Sequence, residues 1–148
     1  TRTFFLGILV GISSIGGYIF SLYQNGWTAG FPLEEGSSIH QKAVTIAFVT
    51  LVLTQMANAY NSRSSTASAF KNFFKNFALL GSVGLSIIFV IAATKIPAIR
   101  NAINITDLEK TEWLIPITAG LAVILIEETR KIFIRHKKQK WISQISRN

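Results

Sequence analysis

The run Ala43-Val44-Thr45-Ile46-Ala47-Phe48-Val49-Thr50-Leu51-Val52-Leu53-Thr54-Gln55-Met56-Ala57-Asn58-Ala59-Tyr60-Asn61-Ser62 contains no Lys, Arg, Asp or Glu. Wound as an α-helix at about 1.5 Å per residue, it covers about 30 Å, the thickness of a bilayer's hydrocarbon core. It is not plainly apolar, because Gln55, Asn58 and Ser62 follow one helical stripe with Asn61 beside it. Amides are costly against lipid and belong in a protein interior. Their NH2 groups can tie helices together, and their carbonyl oxygens can coordinate a cation. Helix–helix bonding is the simpler role for Gln55 and Asn58, and a share in a cation path is the sharper one.

Outward from this run, residues 4–23 and 76–94 are also free of charge, and a fourth apolar run extends from Trp113 to Ile126. The fourth reaches full length only by continuing past Glu127 and Glu128 to Ile134, with long side chains snorkelling to the interface. The expected fold is all-α: a polytopic membrane protein forming one bundle over residues 1–148, with four spans near 4–24, 43–62, 76–95 and 113–134. Only 15% of the 148 residues are charged, against roughly a quarter in soluble domains, and the mean hydropathy is +0.40. A soluble domain is excluded on that basis. Arg2 ahead of the first run resembles a secretory signal, but the run is too long for a signal core and lacks a small-residue cleavage site. The start at Thr1, without a methionine, points to a processed or excised piece.

Charge sets the orientation. The connection Arg63 to Lys75 holds three basic residues and no acid, and seven of the 15 Lys and Arg residues follow Glu128. Positive charge favours the cytoplasmic side, so both termini and the middle connection are expected there. The net charge of +8 is thereby assigned to anionic headgroups rather than to nucleic acid. Zero cysteines exclude disulfides and thiolate metal sites, and His40 and His136 are too few for a histidine-based metal centre. A phosphate-binding glycine loop, a zinc-protease motif and a nucleophile elbow are all missing, so no residue is assigned a catalytic or cofactor-binding role. Asn104-Ile105-Thr106 matches a glycosylation acceptor, a pattern that arises often by chance.

In the first span Gly7 and Gly11 form a G-x-x-x-G pair, and Gly16-Gly17 follow. Such glycines let another helix approach closely, whether from this chain or from a partner. Pro97 marks the end of the third span. At the inner end of the fourth, Glu127 can reach Arg130 and Lys131, and Glu128 can reach Lys131. These pairs are read as ion pairing at the membrane edge, with a carboxylate in a proton or ion route as the alternative.

The motifs also occur in a familiar order. Ser14-Ile15-Gly16-Gly17-Tyr18 is followed by Thr50 to Ser64, Leu79-Leu80-Gly81-Ser82, Ile105 to Leu114, and Glu127-Glu128 with Arg130-Lys131. Together they resemble the last four membrane helices, M7 to M10, of type II P-type cation-transporting ATPases, the calcium and sodium/potassium pumps. The resemblance implies a supporting bundle whose parent uses ATP and Mg2+ in cytoplasmic domains. Its implied partners are the lipid bilayer, the parent's other helices and domains, and the transported cation. Gln55 matches a position held by glutamate in reticulum-type calcium pumps and by glutamine in plasma-membrane and secretory-pathway ones. Asn58 matches an aspartate of sodium/potassium pumps. The glutamine at Gln55 favours a calcium pump with one main site. Phe31-Pro32-Leu33, and Arg130 to Arg135 with Trp141 behind them, are instead similar to the sodium/potassium branch. A proton pump and a stand-alone four-helix accessory or structural protein are the alternatives.

Overall fold

Local chemistry sets where several of the helices stop. The computed structural model describes residues 2–30, 32–34, 36–62 and 77–145, and all regular structure among them is α-helical. The helices are α1 (Arg2–Gln24), α2 (Ser38–Ser62), α3 (Phe77–Lys95), α4 (Pro97–Ala102) and α5 (Leu114–Ile145). The basic connection Arg63 to Lys75 lies outside the described residues, as do the side chains from Lys137 onward, Trp141 among them.

After α1, Gly26 adopts φ +87°, and the Gly26 and Trp27 amides donate back to the Tyr23 and Leu22 carbonyls at 3.1 and 3.0 Å. This is a Schellman stop, for which glycine costs nothing sterically. α2 begins at a serine cap, the Ser37 hydroxyl accepting from the His40 amide at 3.3 Å. Ile96 is extended ahead of Pro97, so the chain breaks after α3 and restarts at once as α4. A second Schellman stop ends α4. Asn104 takes φ +53°, while its amide and that of Ile105 bond the Asn101 and Arg100 carbonyls. Asn104 therefore has a local structural role, whatever its acceptor pattern.

α2 is the centre of the assembly. It packs extensively along α1 and α5 and more lightly on α3, while α1 and α5 touch over a short stretch. Ile46, Val49, Val90 and Leu108 form the apolar core, the last supplied by the α4–α5 connection. Polarity is otherwise arranged unlike a soluble core. Ser21, Thr45, Thr50, Thr54, Asn61, Thr94, Glu127 and Lys131 are buried, while Phe77, Leu85, Phe133 and Leu125 stand 83, 69, 68 and 63% exposed. The buried threonines mostly bond their own helix: Thr54 donates to the Thr50 carbonyl at 2.7 Å, and Thr94 to that of Val90 at 3.0 Å. Such back-bonding satisfies a hydroxyl without water.

Among the described residues, two helical stretches, Phe4–Gln24 and Ser38–Asn61, are long and apolar enough to cross a membrane, and Leu80–Lys95 is a shorter apolar helix. In α5 the uncharged part ends at Ile126, and the helix runs on to Ile145, about 48 Å in all.

Candidate functional site

Helical phase divides the polar residues of α2 between two faces. Thr50, Thr54 and Asn61 point inward with no exposure, together with Ala57 and Tyr60. Gln55 stands on the opposite, exposed face with Leu51 and Ala59, and Asn58 is half-buried at the boundary. Of the expected stripe, Gln55 thus turns outward and Asn58 stands at the boundary, while Asn61 belongs to the interior. Among the described residues no three His, Cys, Asp or Glu side chains converge as a metal site would require.

The four glycines of α1 also separate. A Cβ on Gly17 would lie 3.1 Å from Thr50 Oγ1, 3.6 Å from Ile46 Cγ2 and 3.7 Å from Ile115 Cγ2, so Gly17 is where α1, α2 and α5 meet. The Thr50 hydroxyl at this crossing is buried and makes no hydrogen bond. Gly7, Gly11 and Gly16 have nothing within 4 Å of a built Cβ. Gly120 of α5 lies against Leu53, with a built Cβ 3.7 Å from the Leu53 Cβ and carbonyl oxygen. Gly120 was not singled out in the sequence, although Ala119-Gly120-Leu121-Ala122 is a small-residue stretch of the kind that marks close helix contacts.

A cross-helix bond fixes the register of α1 on α2. The Ser14 hydroxyl donates to the Ala47 carbonyl at 3.0 Å. Gly11 and Gly7 continue the Ser14 stripe at helical spacing, as Leu51 and Gln55 continue that of Ala47. The helices run antiparallel, so both stripes travel toward the same end from this bond and bring the two open glycines alongside the Gln55 face. Toward the other end, the Tyr18 hydroxyl and His40 Nδ1 share a hydrogen bond of 3.1 Å, with the rings edge to face.

Among the described residues, two ion pairs anchor the charged turn of α5. Arg130 holds Glu127 through two bonds of 2.6 Å, and Lys131 holds Glu128 at 3.1 Å, with Arg135 3.9 Å from the same carboxylate. Glu127 has no exposure and Lys131 only 1%. The fork of a guanidinium matches a carboxylate's two oxygens, which is why Arg rather than Lys takes the fully buried partner.

At the opposite end a clamp unmarked by any sequence motif secures the α4–α5 connection. The Thr106 amide donates to Thr45 Oγ1 at 2.9 Å, and that hydroxyl donates to the Gln41 carbonyl at 2.7 Å. Lys42 pairs with Glu112 at 2.9 Å and Glu109 at 3.6 Å. Ile105 and Leu108 insert into the bundle beneath them. Lys95 bonds Asp107 at 2.6 Å, and this ammonium holds the Asp107 carboxyl below its ordinary value. The contacts of Thr45 with Thr106 and of Lys42 with Glu109 and Glu112 could not be read from the sequence, because their partners lie 61 or more positions apart.

Comparison with known proteins adds an ancestry to this geometry. A family model described as "Cation transporting ATPase, C-terminus" matches residues 1–133. A calcium-transporting ATPase of Bacillus subtilis (strain 168) is 27% identical over 118 residues, covering 80% of this chain and 12% of the relative. Calcium-transporting ATPase 1 of Bacillus cereus (strain ATCC 10987 / NRS 248) is 26% identical over 135 residues, covering 86% of this chain and 15% of the relative. The chain therefore spans a small part of the length of each curated relative it matches.

Proposed function

Because the chain belongs to the family of cation-transporting ATPase C-terminal regions, we propose that it is the supporting membrane bundle of an ATP-driven cation pump, with no catalytic site of its own. In this reading residues 1–148 form one membrane domain. Its spans at 4–24, 43–62, 76–95 and 113–134 correspond to M7 to M10, with both termini cytoplasmic. The reversed polarity of the fold supports this placement, since bulky apolar side chains outside and back-bonded hydroxyls inside suit an apolar surrounding.

The observation that carries the proposal is the open face around Gln55. An amide in the middle of an uncharged run, exposed on its own chain, is too costly to leave facing hydrocarbon and calls for a protein neighbour. Gly7 and Gly11 beside it have room for a close helix approach. The parent's remaining transmembrane helices cover this face, with Gln55 and Asn58 beside the ion path. Their neutral amides add carbonyl oxygens to a cation's coordination without adding charge. Calcium is the cation this reading assigns, in keeping with the two calcium-transporting ATPases to which the chain is similar and with the resemblance at Gln55. ATP and Mg2+ do not fit this chain, which lacks both a phosphate-binding loop and, among its described residues, a converging acidic set. They act in the parent's cytoplasmic domains, and Glu127, Glu128, Arg130 and Lys131 brace the inner edge of the last span.

Two measurements test the reading. An antibody against residues 130–148 should detect a product several times larger than 16.4 kDa in the source membrane, where a band near that mass would mean a stand-alone bundle. In the intact pump, Gln55→Ala should lower apparent calcium affinity with expression unchanged. Unaltered affinity would reduce Gln55 to a packing residue.

A further inference from the structure

We draw no further inference here: the strongest candidate, the apolar cleft of about 410 Å³ that α2, α3 and α5 leave between Met56, Val83 and Leu121, is open at the surface of the chain, and nothing in the structure shows what covers it.

Discussion

On one face of α2, Thr50 meets Gly17 of α1 and Leu53 meets Gly120 of α5. On the other, Leu51, Gln55 and Ala59 are exposed, and a Cβ built on Gly7 or Gly11 of α1 would meet nothing within 4 Å. The two faces use similar residue types, small side chains with an occasional polar one, yet the first is closed within this chain and the second is left open. The closed face holds the chain together. In the proposed pump the open face is where the parent's other helices attach, since small residues gain nothing from lying open but allow a helix to pack against them. Substitutions on the closed face should therefore act on the isolated chain, and those on the open face only on the assembled pump.

The largest effect is expected at Glu127. Glu127→Ala leaves the largely buried Arg130 guanidinium without its fully buried carboxylate, and breaking such a pair from one side costs about 3 kcal/mol. Thermal unfolding of the detergent-solubilised chain should register the loss, and an unchanged midpoint would mean that the pair holds nothing. Next comes Gly17→Leu, which drives a side chain into Thr50 and Ile46 and should cost about 2 kcal/mol by overpacking. Gly11→Leu is the control that sharpens the comparison. It should leave the isolated chain's midpoint unchanged while lowering the yield of assembled pump, and equal destabilisation by both variants would erase the distinction between the faces. At the clamp, Thr45→Val removes the acceptor of the Thr106 amide and should cost about 1 kcal/mol. Hydrogen exchange at that amide should accelerate, whereas exchange along α5 should not. The smallest effect belongs to Asp107. Its carboxyl is held below its ordinary value of 3.8, so the stabilisation from Lys95 is present above that pH and is lost as pH falls through the lower folded value. The pair is about half exposed, which limits the effect to a few tenths of a kcal/mol. A titration of the midpoint below pH 5 on wild type and Asp107→Asn should converge at the acid end.

Much of the fold was legible because its determinants are local. Uncharged runs, a proline after Lys95 and a glycine after Gln24 each act within one or two turns, and the helices follow them. The pairing of Glu127 with Arg130 is legible for the same reason, since three residues of helix bring the side chains together. The clamp was not. Nothing near Thr45 in the chain points to Thr106, and a buried threonine on an apolar helix reads equally well as a self-satisfied hydroxyl. Nor did the sequence single out Gly120, because glycine is common enough in apolar helices that only its neighbour gives it meaning.

The helical class, the breaks after Gln24 and Lys95, and the division into apolar runs with a basic tail follow from the order of the residues alone, whereas the earlier start of α2, the short α4 and the run of α5 on to Ile145 do not. The rotation of each helix does not. A helix apolar on nearly every side has no amphipathic stripe to choose which face turns inward, so that choice falls to close packing. Only the tertiary structure decided that Gly17 rather than Gly7, Gly11 or Gly16 meets α2, that Asn61 turns in while Gln55 turns out, and that the α4–α5 connection folds back onto Lys42 and Thr45. Those outcomes depend on which surfaces fit when α1, α2 and α5 come within a side chain's reach, and no single helix carries that information.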